Sequence, residues 1–317
     1  MYEKQIFKIL EYFFFFHYFP TFDEIDTFLP AKTSKKSLKL ELDRLIKQKR
    51  IKNLKLKNEN YSRYTPVEYS ILTQKSKVKS NNETIEQWNN FIKKQQISKT
   101  KLNSLRFRLY IKLLALFPQI KLVGLSGSIA MMSTNLDDDI DLFIITQKKR
   151  LFTGRFLAVI IAYLMGLKRK IEQKKAPGKV CLNLFFDESN LRVPKFKHSE
   201  YVAHEVLQMK PVIVKGNVYE RFLEANRWVQ AIFPNSSWIM SKVKSQKSKI
   251  QVKSQNYFKN FKLLTLTSNF LLLTFDFIES ILKNLQITLI NRHRTTELIS
   301  NYQLWFHPED FEKKIKY

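Results

Sequence analysis

Residues 121–146, KLVGLSGSIAMMSTNLDDDIDLFIIT, decide how the chain reads. The segment opens as an apolar strand, breaks at a Gly127-Ser128 turn, bridges through a short helical stretch and closes on a second strand carrying Asp139 and Asp141. Strand side chains alternate faces, so these two carboxylates emerge together while Ile140, Leu142 and Ile144 point into a core. Like charges side by side disfavour joint ionisation. A divalent cation relieves that repulsion, and Mg²⁺ favours carboxylate oxygens combined with substrate phosphates. Gly127 and Ser128 add a permissive backbone and free N–H groups at the head of a helical turn, where anions settle. The alternative is a solvated acidic turn, Asp137-Asp138-Asp139, with Asp141 as an edge residue.

A Gly-Ser turn, ten intervening residues and Asp-Ile-Asp between apolar neighbours resemble the nucleotidyltransferase domain of the DNA polymerase β-like superfamily. The resemblance covers about residues 100–215. It implies an α+β fold, a small mixed β-sheet with flanking helices, and transfer of a nucleoside monophosphate from a nucleoside triphosphate to an acceptor, with pyrophosphate leaving. Asp139 and Asp141 would be the catalytic, metal-binding pair for Mg²⁺ or Mn²⁺, stabilising attacking and leaving oxygens. Gly127 and Ser128 would hold the β- and γ-phosphates. The superfamily's next strand commonly supplies a third carboxylate. Here that strand, Val180 to Phe186 (VCLNLFF), carries Asn183 at its centre. An amide oxygen can ligate Mg²⁺ and line the nucleotide site, but it has no charge and cannot deprotonate a hydroxyl. Asp187 shares its parity but lies roughly 13 Å further along an extended strand, too far to substitute without a bulge. The second reading is therefore a catalytically degenerate fold that senses a ligand or binds nucleic acid.

Working outward, residues 2–18 place Ile6, Ile9, Leu10, Phe13 and Phe16 at helical spacing. Thr21 and Glu24 form a capping box for a second short helix through Phe28. Leu38, Leu42, Leu45 and Ile46 line a third, and alternation from Ile51 through a polar turn at Asn58-Glu59-Asn60 to Tyr64 reads as a hairpin. Three helices and a hairpin look like a winged helix-turn-helix over residues 1–72. Between Lys32 and Lys57 there are eleven Lys/Arg against two acids, whereas residues 1–31 carry two basic and five acidic. That basic third helix and wing, 32–57, suits duplex phosphates, or else forms an ordinary solvated face. The Lys/Ser/Gln tracts at 74–80 and 242–255 read as flexible inserts, the first inside a linker at 73–98 in which Glu83 to about Gln96 reads as helical without an evident role, and the second spanning about 241–256.

The nucleotidyltransferase-like domain, 99–215, begins with a helix whose Leu102, Leu105, Leu109, Leu113 and Leu116 recur at near-heptad spacing. Arg150 to Gly166 is apolar nearly all round, the pattern of a helix buried across the sheet. Arg150 and Arg155 lie where a triphosphate could be touched, though surface arginines are commoner. Residues 216–317 read as a helical C-terminal domain. Its apolar run Leu263–Leu282 tempts a membrane reading, but Asp276 and Glu279 interrupt it, so no stable membrane insertion is expected.

Composition bounds these readings. A chain of 317 residues holds two or three small domains. A single cysteine, Cys181, excludes an internal disulfide and a zinc site built on several cysteines, and no secretory signal is visible; both suit the reducing cytoplasm. Net charge is +27, which invites a polyanionic partner, although Lys- and Asn-rich, Gly-poor composition is also what AT-rich coding produces.

Overall fold

The computed structural model describes residues 2–55, 60, 62–67, 80–169, 175–245, 269–292 and 297–306. Residues 58 and 59 of the hairpin turn, most of both Lys/Ser/Gln tracts, His293 and the tail from 307 lie outside them. In chain order come α1 (Glu3–Phe15), α2 (Phe22–Phe28), α3 (Lys35–Lys47), β1 (Ile51–Lys55), β2 (Ser62–Pro66), α4 (Ser80–Asn103), α5 (Leu105–Leu116), β3 (Ile120–Leu125), α6 (Gly127–Ala130), β4 (Ile140–Thr146), α7 (Leu151–Leu164) and β5 (Val180–Asp187). There follow α8 (Glu200–Gln208), β6 (Lys210–Val214), α9 (Val218–Ala225), α10 (Val229–Ile232), α11 (Ser237–Ser245), α12 (Asn269–Asn291), β7 (Leu298–Ile299) and β8 (Gln303–Trp305).

The fold is α+β. One six-stranded mixed sheet has the order β6-β3-β4-β5-β8-β7, with β4 and β5 parallel and every other neighbouring pair antiparallel. Alternation divides the buried residues of β4 between two cores. Ile140, Leu142 and Ile144 join Phe107, Tyr110, Phe152 and Ala158 on the face covered by α5 and α7. Phe143 and Ile145 join Val202, Val206 and Phe222 on the other, and that core continues without a break into Leu10, Phe13 and Leu42 of the N-terminal helices. Gly154 lets α7 settle onto β4, because a Cβ there would lie 2.4 Å from the Thr146 methyl.

The N-terminal helices form as their caps dictate. Thr21 Oγ1 accepts from the Glu24 amide and the Glu24 carboxylate in turn accepts from the Thr21 amide, while Ser34 Oγ accepts from Ser37 N at the head of α3. Strands β1 and β2 pair antiparallel behind them. His204 of α8 seals this module to the sheet. It is 2% exposed, stacked on Tyr12 at 3.7 Å and Phe28 at 4.3 Å between ring centroids, and its Nδ1 makes no hydrogen bond among the described residues. Burial, and secondarily the Lys8 charge, holds its pKa well below the usual 6.5. The folded state therefore keeps His204 neutral while the unfolded chain takes up a proton below about 6.5. Its contribution is intact above that pH and falls by about 1.4 kcal/mol per unit as the pH drops further. Urea melts at pH 7.5 and 5.0 should show this loss, and a His204→Phe chain should show a smaller one.

Four sequence expectations change. The helix expected from Glu83 to about Gln96 runs longer, from Ser80 to Asn103, and it is no mere linker, since Phe91 is 0% exposed in the core. On α5 the leucine stripe faces outward, Leu105 being 80% exposed, and Phe107, Tyr110 and Leu114 pack inward instead. Two apolar stripes share that helix, and periodicity cannot choose between them. Helix α7 is not buried all round: Gly154, Ala158 and Ala162 face in, while Tyr163 and Leu164 are exposed. The C-terminal region is not wholly helical, because β8 pairs with β5 (Leu184 with Trp305, Phe186 with Gln303) and extends the sheet.

Helix α12 is held to α7 by its acids. Glu279 accepts from the Phe152 and Thr153 amides at 2.8 Å each and from Thr153 Oγ1 at 2.5 Å, so a carboxylate caps the positive end of α7. Asp276 accepts from Arg150 at 2.6 Å, and Arg155 reaches Gln286 at 2.6 Å, which commits both arginines to this interface and not to a phosphate. Glu279→Ala should cost about 1–3 kcal/mol in denaturant melts, the range for unmaking hydrogen bonds at buried donors. No described helix is long and apolar enough to cross a membrane.

Candidate functional site

The site forms where β3 ends and β4 begins. Strand β3 runs into Ser126, whose amide donates to the Asp141 carbonyl at 3.1 Å, pinning the turn to the start of β4. Gly127 follows with φ +58°, and a Cβ there would stand 2.9 Å from Asp141 Oδ2. Glycine is required twice over, by the left-handed backbone and by the carboxylate against it. Ser128, half-buried, occupies the next position of α6.

Asp139 stands just before β4 and Asp141 within it, and one carboxylate oxygen of each and the Cys181 sulfur all lie within 4.8 Å of one another. The structure thus brings together the pair and the turn singled out from sequence. It divides the acidic run, however. Asp138 accepts from the Asn135 amide at 2.7 Å, and Asp137 pairs with Lys175 at 3.0 Å, so these two belong to the turn. Lys101 of α4 inserts beneath it, donating to the carbonyls of Asn135 and Asp138 at 2.5 and 2.6 Å. Burial lowers the Lys101 pKa against the opposing charges of Asp138, Asp139 and Asp137.

Asn183 is placed by a bulge. Leu142 pairs with Leu182 and Phe143 with Leu184, which leaves Asn183 as the extra residue of β5. Its Nδ2 donates to Asp141 Oδ1 at 3.0 Å, and its Oδ1 accepts from the Cys181 thiol at 2.8 Å. Asp187, by contrast, is buried at the far end of β5, accepting from the amides of Lys149 at 2.6 Å and Ser189 at 2.8 Å, which closes it as a substitute carboxylate.

Sequence reasoning missed three neighbours. Arg169 donates to Asp139 Oδ2 at 2.7 Å and lies 3.9 Å from the Cys181 sulfur. Burial opposes its charge, but the Asp139 hydrogen bond and charge outweigh that and raise its pKa. Cys181 pairs in register with Asp141, and burial, then the charges of Asp141 and Asp139, pushes its thiol well above the usual range. Glu205 of α8 takes hydrogen bonds from Tyr201 at 3.1 Å and Ser126 at 3.4 Å. Only the β5 alternation, which gives Cys181 the parity of Asn183, could have flagged one of them.

Cavities do not decide the matter. The space under Ser126, Phe143 and Glu205, about 30 Å³, has room for one water. A larger cleft of about 480 Å³ lies at the other end of β5, lined by Glu188, Glu220 and Glu224 with Arg221, an acidic wall ill suited to a triphosphate. No family model, curated protein or solved structure matches the chain.

Proposed function

We propose that the protein is a metal-dependent nucleotidyltransferase. The observation that carries this reading is the convergence of the Asp139 and Asp141 carboxylates beside a left-handed Gly127 turn. The donor set fits a divalent cation, since an oxygen of each acid lies within 4.8 Å of the other, with the Arg169 guanidinium beside Asp139 as a countercharge. When bound, Mg²⁺ or Mn²⁺ would neutralise charge on the phosphate oxygens. Asp139 and Asp141 would hold the ion, Gly127 and Ser128 would seat the β- and γ-phosphates, and Asn183 would hold Asp141 in place through its amide N–H. An acceptor hydroxyl oxygen would bond to the α-phosphorus and release its proton to solvent, the bond from that phosphorus to the bridging oxygen would break, and pyrophosphate would leave with the electron pair. The test is a screen of the four ribonucleoside triphosphates with Mg²⁺ or Mn²⁺ against bulk RNA and protein acceptors. Pyrophosphate release with label transfer from the α-phosphate supports the reading; none with any nucleotide removes it.

The Arg169–Asp139 pair, together with an amide where a third acid is expected, favours a second reading. In it the site binds nucleotide without turning it over and acts as a sensor. Exposed Lys36, Lys39, Lys47, Lys49 and Lys55 on α3 and the hairpin would give either version a nucleic-acid contact within 32–57, tempered by ion pairs of Lys35 with Asp23 and of Arg44 with Glu3. A steep fall of duplex affinity with salt, unchanged in Asp139→Ala, is the expected sign of that contact.

A further inference from the structure

We infer that Cys181 is a third cation ligand, so that this site takes a thiophilic divalent ion of the zinc class, with Arg169 displaced as the ion enters. The inference rests on reading Asp139 and Asp141 as cation ligands, not on nucleotide transfer.

Three features carry it. The β4–β5 register sets Cys181 directly beside Asp141, and its sulfur and the two carboxylates lie within 4.8 Å of one another. Neighbouring ligands of a tetrahedral zinc are about 3.5 Å apart, so the cluster needs to contract by roughly 1 Å. Second, a positive group already sits over two of the three ligands: the Arg169 guanidinium is 2.7 Å from Asp139 Oδ2 and 3.9 Å from Cys181 Sγ. The cluster is therefore already arranged around a positive group, the Arg169 side chain. Third, the bulge turns Asn183 to Asp141 on one side and to the Cys181 thiol on the other, so one amide orients two ligands, as outer partners of metal sites do. Sulfur is a soft donor that discriminates against Mg²⁺ and for zinc-like ions. As the sulfur–metal bond forms, the S–H bond breaks and its proton passes to solvent, while the Asn183 oxygen gives up the hydrogen bond it now accepts.

The chain contains a single cysteine, which makes a spectroscopic test unambiguous: any thiolate–metal band reports on Cys181. Co²⁺ is titrated into the full chain, kept reduced with a phosphine, and followed by near-ultraviolet charge-transfer absorption. The band should saturate at about one ion per chain, yield to Zn²⁺ and resist excess Mg²⁺. Cys181→Ser should abolish it. Asp139→Asn and Asp141→Asn, which keep the thiol, should each weaken Co²⁺ binding at least about tenfold. Arg169→Gln should tighten binding about tenfold by removing the competing charge; unchanged affinity there would overturn the displacement. Absence of a band in the folded chain, or a band indifferent to both aspartate substitutions, overturns the site itself. If Cys181→Ser does not fold, the two aspartate variants still decide. A cobalt band without pyrophosphate release in Mg²⁺ sinks the transferase and leaves the Cys181 site standing; release without a band does the reverse.

Discussion

Asp141→Ala should abolish nucleotide-dependent pyrophosphate release, by at least about a hundredfold, while circular dichroism and denaturant melts show a chain still folded. Outer-shell partners of metal ligands already cost 10- to 100-fold when removed, so a ligand itself sets a higher floor. The fold should tolerate the change because Asp141 is only half-buried and its main chain, not its carboxylate, pairs with Ser126. Gly127→Ala is the sharper companion. It leaves both carboxylates in the sequence but drives a methyl group to 2.9 Å from Asp141 Oδ2 on a backbone at φ +58°. Something must shift, and the side chain moves more cheaply than the sheet. Activity lost in Asp141→Ala but kept in Gly127→Ala would mean that the turn and the carboxylate do not act as one unit.

Phe91→Ala should destabilise the chain by about 3–5 kcal/mol, the range for removing a buried aromatic ring. Phe91 is fully buried on α4, 5.3 Å from Phe19 and 5.5 Å from Tyr18 and from Trp88, measured between ring centroids, with the Arg63 guanidinium 5.0 Å from its ring. Apart from Trp88, on α4 itself, these partners come from the N-terminal module, and α4 ends two residues beyond Lys101, which secures the acidic turn of the site. The ring therefore ties the N-terminal helices to the helix that braces the site. A linker residue would cost nearly nothing, so a midpoint shift in urea unfolding separates the two descriptions. A loss under about 0.5 kcal/mol, within the range of surface substitutions, would return residues 86–98 to linker status.

The local chemistry of the sequence carried much of this organisation. The Thr21–Glu24 box and the Ser34 cap settle within four residues, because a side-chain oxygen either reaches the orphan amides or does not. The Asp139–Asp141 spacing on an alternating strand likewise put both carboxylates toward one side with no knowledge of the neighbouring strands. Glycine at 127 spoke for itself, since a left-handed bend was the simplest use for it in front of an acidic strand.

Other features depended on partners far away in sequence. Helix α5 carries two apolar stripes of equal period, and only the β3–β4 sheet selected Phe107, Tyr110 and Leu114 over Leu105 and Leu109. The three residues of β8 are too few to show alternation, and they became strand because the β5 edge offered unpaired backbone groups. Arg169 came to Asp139 across 30 positions, its amide bonded to the Val180 carbonyl at the start of β5, and Cys181 to Asp141 across 40 through the parallel register of β4 and β5. Capping, turn geometry and face parity are short-range and were decided by the residues themselves. Which ridge of a two-sided helix is buried, and which cation faces a carboxylate pair, are long-range free-energy choices made only when the sheet assembled.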